Sequence, residues 1–155
     1  MSNPPPIAAV AEIVLSVKDL SLMRQFYIET MGFPLFSESR HASSYDLEEG
    51  DPTIVFLKIA DLPPPFGNKH PQLLVLIDVN HHAAAKERFQ GHDVKQSTLN
   101  HLAFQIEPET YDAHLSRLQS LDLNPAEVRF PRMDSKAIFF EDPEGNLLEL
   151  ICHAA

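Results

Sequence analysis

Basic residues are scarce. The chain carries 12 Lys and Arg against 22 Asp and Glu, a formal net charge of −10, and its pI is near 5.1. No basic run interrupts that balance. Such a surface cannot neutralise phosphates in quantity, which excludes nucleic acid and anionic membranes as partners. Cysteine is almost absent: Cys152 stands alone. It cannot close an internal disulfide, which fits a reducing cytoplasmic compartment. No apolar run approaches the length that crosses a bilayer. The opening Met1-Ser2-Asn3-Pro4-Pro5-Pro6 lacks the charged start and apolar core of a secretion signal. Residues 1–10 are therefore expected to form a flexible leader.

What is present is a globular composition. Apolar residues make up 44% of 155 residues, enough for one compact domain or two small modules sharing a core. Two internal echoes favour the modular form. Gln72-Leu73-Leu74-Val75-Leu76-Ile77 matches Asn146-Leu147-Leu148-Glu149-Leu150-Ile151, and Glu12-Ile13-Val14-Leu15-Ser16-Val17 resembles His101-Leu102-Ala103-Phe104-Gln105-Ile106. Echoes in the same order mean one internal duplication. It maps Glu12 onto His101 and Val75 onto Glu149, so three of the four equivalent positions carry side chains that bind metals.

Each half reads as strand, helix, strand, strand, strand. Alternation over 11–17 puts Ile13, Leu15 and Val17 beneath a helix and Glu12, Val14 and Ser16 on the other sheet face. Asp19 favours a helix start; Leu22, Phe26 and Met31 form the expected apolar side, and Gly32 the stop. Residues 33–36 and 42–47 read as one long or bent strand, 53–59 as a strand, and 73–79 as its partner. A short helix follows within 80–90. In the second half the pattern predicts a strand to Ile106 and a helix begun at Pro108, with Tyr111, Leu115, Leu118 and Leu121 as its stripe. Strands at 126–130, 135–140 and 146–152 complete it.

The last strand carries the chemistry. Glu149 lies between Leu148 and Leu150, after the acidic turn Glu141-Asp142-Pro143-Glu144-Gly145. A carboxylate there is costly unless it is paired or bound to a metal. The plain alternative is a glutamate on an edge strand, facing water. His101 shares a face with Ala103 and Gln105, opposite Leu102, Phe104 and Ile106. The adjacent His81-His82 read as surface residues, and His41, His70, His92 and His114 as loop or polar-face residues without a role. Cys152 falls on the helix side with Leu148 and Leu150 and reads as buried and inert.

These modules, Phe26-Tyr27, Met31-Gly32-Phe33, and the turn 141–146 with Glu149 close behind together resemble the vicinal oxygen chelate superfamily. That group includes glyoxalase I, methylmalonyl-CoA epimerase, extradiol dioxygenases, fosfomycin-resistance thiol transferases and bleomycin-binding proteins. The resemblance implies an α+β fold. Two βαβββ modules (11–80 and 99–155, joined by a linker at 81–98) would pair into a cup-shaped mixed sheet, one domain over 11–155. It also implies metal ligands at Glu12, His101 and Glu149, with Val75 at the fourth family position. Glutamate at the first position departs from the family's usual His or Gln.

Two carboxylates and one imidazole suit Lewis-acid work by zinc, nickel, cobalt or manganese. They break the two-histidine pattern of non-haem iron oxygenases. Glu149 or Glu12 could act as general base; Arg132, Gln105 and Phe139 are candidate substrate contacts. The first expectation is a metal-dependent lyase or isomerase of the glyoxalase type, acting on a small oxygen-bearing substrate such as a thiol adduct by polarising its oxygen. The alternatives are a metal-free ligand-sequestering protein of the bleomycin-resistance type and, more weakly, a ring-cleaving dioxygenase. The family also implies a homodimer.

Overall fold

A computed structural model describes residues 3–89, 91 and 93–153. The chain divides into two compact units, Met1–His92 and Asp93–Ala155.

In the first unit the elements run β1 (Glu12–Val17), α1 (Leu20–Gln25), β2 (Leu35–Ser39), β3 (Ile54–Ala60), β4 (Gln72–Asp78) and α2 (Ala83–Lys86). The sheet order is β1-β4-β3-β2, with β1 parallel to β4 and the other pairs antiparallel. β4 is central, so its Leu73 to Ile77 are buried on both faces. Leu15 and Val17 are buried and Glu12 and Val14 exposed, as the alternation requires.

Asp19 caps α1: its Oδ1 accepts from the Leu22 amide at 2.9 Å. The predicted apolar side of this helix needs correction. The α-helix gives way at Phe26 to a wider π turn, Phe26–Thr30. The buried set is Leu20, Met23, Phe26 and Tyr27, while Leu22 is 45% exposed. Once Leu20 and Met23 take the inward positions, Leu22 falls on the outer side. Gly32 stops the helix at φ +75°, a left-handed conformation that favours glycine.

The long bent strand expected over 33–47 also gives way. β2 ends at Ser39, and Glu48 captures the chain instead. Its Oε1 accepts from the amides of Ala42 at 3.0 Å and Ser43 at 2.7 Å, and from the Ser43 hydroxyl at 2.7 Å. Those amides are thereby lost to the ladder. The hydrogen bonds from Ser43 hold the Glu48 carboxyl down at about 2.

The second unit repeats the plan: β5 (Leu102–Gln105), α3 (Tyr111–Ser120), β6 (Ala126–Phe130), β7 (Ser135–Glu141) and β8 (Leu147–His153). Its order, β5-β8-β7-β6, is that of the first sheet. The registers coincide too. Val14 pairs with Val75 in the first unit and Ala103 with Glu149 in the second, the alignment that maps Val75 onto Glu149. The duplication is thus one of backbone pairing as well as of sequence.

Tyr111 and Leu118 anchor α3, whereas Leu121, expected on the stripe, is 42% exposed beyond the helix end. The Tyr111 hydroxyl donates to Glu127 Oε2 at 3.0 Å and to the Ala137 carbonyl at 3.2 Å. Burial first, then the Glu127 carboxylate, pushes its phenol up to about 12. Cys152 is fully buried, as expected. Among the described residues, no helix is long and apolar enough to cross a membrane.

Candidate metal centre

β8 lies between β5 and β7, so Glu149 is on an interior strand and not an edge. Its start is fixed by the acidic turn. Asp142 is buried, and its Oδ1 accepts from the amides of Glu144 and Asn146, both at 3.0 Å. Its Oδ2 accepts from the Asn146 side-chain amide at 2.8 Å. Gly145 closes the turn at φ +85°. The two strands leaving this turn pair Phe139 with Glu149, and β5 brings Ala103 to the other side of the same residue. Directly paired positions share a face. His101, one position before β5, is therefore on the face of Glu149 and Phe139.

The side chains meet there. His101 Nε2 lies 3.0 Å from Glu149 Oε2, with the two side chains 34% and 6% exposed. The Phe139 ring stands edge-on to the imidazole, 5.6 Å between centroids. Asn100 completes the set: His101 Nδ1–H donates to its Oδ1 at 2.6 Å. Asn100 carried no signal by itself in the sequence; its place directly before a candidate ligand was the available clue. Among the described residues, the His101 imidazole is the polar group in close contact with the buried Glu149 carboxylate. A carboxylate can accept about four hydrogen bonds or equivalent contacts, so capacity remains.

Gln105 ends β5 on the face that His101 shares, and its side-chain amide donates to the Ile106 carbonyl at 3.1 Å. Arg132 is exposed in the 3-10 turn Pro131–Met133, between β6 and β7. Glu12 belongs to the first unit, where it opens β1, exposed, opposite Leu73. Among the described residues no group of three or more His, Cys, Asp or Glu side chains forms a cation-holding cluster. The donors present nonetheless fit a divalent cation. One imidazole and one carboxylate converge on a single sheet face, the carboxylate is buried, and the second imidazole nitrogen is held by an amide oxygen, as in many metal sites.

One reading of the histidines is corrected. His82 is not a surface residue but 4% exposed. Its Nδ1 accepts from the Ala84 amide at 3.0 Å, capping α2. Its ring is 5.7 Å from that of His41, which bridges the Ser39 hydroxyl and the Asp46 carbonyl. Burial, then the neighbouring His41, lowers the His82 pKa from 6.5, while Asp78 opposes the shift. His92 lies outside the described residues.

A family model, the Glyoxalase/Bleomycin resistance protein/Dioxygenase superfamily, matches residues 9–150. Two curated relatives match over shorter stretches. The fosfomycin resistance protein FosX of Listeria innocua is 32% identical over 39% of this chain and 47% of its own. The metallothiol transferase FosB of Shouchella clausii is 38% identical over 37% of this chain and 40% of its own. The chain thus spans less than half the length of each. Among solved structures, FosX of Listeria monocytogenes superposes with a TM-score of 0.63 at 20% identity, covering 96% of both chains. A FosX variant holding Mn(II) and 1S,2S-dihydroxypropylphosphonic acid gives 0.64 at 21% identity, over 96% of this chain and 93% of that one. Lactoylglutathione lyase of Agrobacterium tumefaciens gives 0.60 at 19% identity, with 95% of each covered. At these identities the superpositions establish a shared fold.

Proposed function

The chain belongs to the Glyoxalase/Bleomycin resistance protein/Dioxygenase superfamily, and from that premise we propose that it is a metal-dependent enzyme acting on a small oxygen-bearing substrate. The observation that carries this reading is the 3.0 Å approach of His101 Nε2 to the buried Glu149 carboxylate. His101 and Glu149 are the proposed metal ligands, with Glu12 as the third. Support for Glu12 is its equivalence to His101 in the internal repeat. Manganese, zinc, nickel and cobalt all suit an imidazole with carboxylates; manganese has the added support of the FosX neighbour that holds it.

When bound, the cation supplies Lewis-acid polarisation of a substrate oxygen. The chain's own residues do the rest. Phe139 walls the histidine on one side, and its apolar ring would pack against substrate carbon. Gln105 and Arg132 are proposed to hold polar and anionic substrate groups. Glu149 or Glu12 is proposed as the general base that takes or returns a proton. A homodimer in the cytoplasm is part of the same proposal.

Two substrate classes have specific support. A thiol adduct rearranged by a lyase or isomerase matches the lactoylglutathione lyase neighbour. A phosphonate epoxide matches the fosfomycin in the name of the FosX relative, and a thiol co-substrate matches the metallothiol transferase FosB. The diol phosphonate held in one FosX structure is what adding water across the two carbons of such an epoxide would yield, one C–O bond breaking as another forms. The test is turnover of a glutathione–methylglyoxal hemithioacetal, and of a phosphonate epoxide with and without thiol, in the presence of each metal. Metal-dependent turnover of one substrate, lowered about 100-fold or more in Glu149→Gln, is expected. Ligand binding by metal-free protein with no turnover would replace this reading with sequestration. Iron-dependent oxygen uptake with a catechol would replace it with ring cleavage.

A further inference from the structure

Asn100 is the side chain whose role neither the fold nor the family assignment supplies. We infer that Asn100 is a positioning residue that fixes the His101 tautomer, keeping the proton on Nδ1 so that Nε2 offers its lone pair to the cation shared with Glu149. The inference rests on the metal-dependent reading above.

The geometry is specific. The Asn100 Oδ1 is an acceptor and nothing else. At 2.6 Å from His101 Nδ1 it therefore requires N–H at that nitrogen. A neutral imidazole with its proton on Nδ1 has its lone pair on Nε2. Nε2 is the nitrogen 3.0 Å from Glu149 Oε2; without metal that contact needs a proton on Nε2, and a cation would take that proton's place and meet the lone pair. The ring is thus held from three directions: Asn100 at one nitrogen, Glu149 at the other, and the Phe139 edge at 5.6 Å between centroids. A histidine ligand whose second nitrogen is left to water has two tautomers and a freely turning ring. An outer partner removes both freedoms before the cation arrives.

The internal repeat gives a contrast within one chain. The position equivalent to Asn100 is Ala11, and the residue after it is Glu12. Glutamate has no ring nitrogen to fix, and alanine has no group to fix one. The amide occurs in the module that presents an imidazole. Asn100 itself is exposed and precedes β5, so it contributes little packing, and removing it should leave the sheet intact.

The experiment is zinc titration of the full chain against a competing chelator, for wild type, Asn100→Ala and Asn100→Asp. It is combined with NMR of the 15N-labelled imidazole of His101 in the zinc-loaded protein. Asn100→Ala should bind zinc about 10- to 100-fold more weakly, with unchanged thermal unfolding of the metal-free chain. The His101 Nδ1 proton should then exchange rapidly with water. Asn100→Asp keeps an acceptor oxygen at the same position and should restore both the affinity and the protected proton. If Asn100→Ala binds zinc as tightly as wild type, or keeps the protected Nδ1 proton, the assignment of Asn100 is overturned while the metal centre stands. If wild type takes up no zinc, the metal-dependent reading itself falls, and this inference with it.

Discussion

Removing His101 should expose the energetic cost of Glu149. In the metal-free chain, His101→Ala deletes the polar partner 3.0 Å from a carboxylate whose side chain is 6% exposed. Truncating one member of a fully buried pair costs roughly 3–5 kcal/mol. Here the histidine side chain is 34% exposed, so water can enter the space it vacates, and the expected loss is about 2 kcal/mol. Glu149→Gln removes the charge but keeps an oxygen that can accept from Nε2–H, and should cost less than about 1 kcal/mol. In the Glu149→Gln background, His101→Ala no longer strands a charge. The double variant should therefore be more stable than the sum of the two losses implies, with a coupling of about 1–2 kcal/mol. Urea unfolding with a chelator present, on wild type, both single variants and the double, reads the cycle directly. A coupling within about 0.3 kcal/mol of zero would mean that the pair is not energetically joined. The buried carboxylate would then need another explanation.

Asp142→Ala should cost about 3 kcal/mol, because the Glu144 and Asn146 amides and the Asn146 side chain lose a charged acceptor together; hydrogen exchange at those amides should accelerate, and unchanged protection would refute the anchoring role given to the turn. His82 supplies a pH dependence. Its folded pKa is lowered from 6.5, so the unfolded chain binds the proton first as pH falls. The stability it supports is complete above 6.5 and declines as pH drops from there through the folded value. His82→Asn keeps a residue able to cap α2 and should flatten the wild-type loss of urea midpoint on acidification; an equally steep variant would count against it.

Much of this was legible in the residues because it depends on local period. The alternation of β1, the Asp19 cap, the Gly32 stop and the duplicated strand pairs all follow from rules two to four residues long. What the sequence hid depends on competition between local and distant partners. Residues 42–47 have strand character, yet the Glu48 carboxylate offers their amides a closer acceptor than a neighbouring strand does. Leu22 fits an apolar stripe, yet the inward positions go to Leu20 and Met23. His82 looks like one of two exposed histidines; its burial and its cap on α2 become visible only when the turn after β4 is folded. Glu149 and His101 were readable because a charged residue in an apolar strand needs a partner. Asn100 was not, since an asparagine at a strand start has many ordinary uses.

The central claim is that His101 and Glu149 hold a divalent cation. Metal content and identity, measured on protein purified without chelator, test it most directly when wild type is compared with His101→Ala and Glu149→Ala. The account predicts stoichiometric divalent metal in wild type and its loss from both variants. Metal content unchanged by either substitution, or a folded wild type that takes up none when offered manganese or zinc, would contradict it.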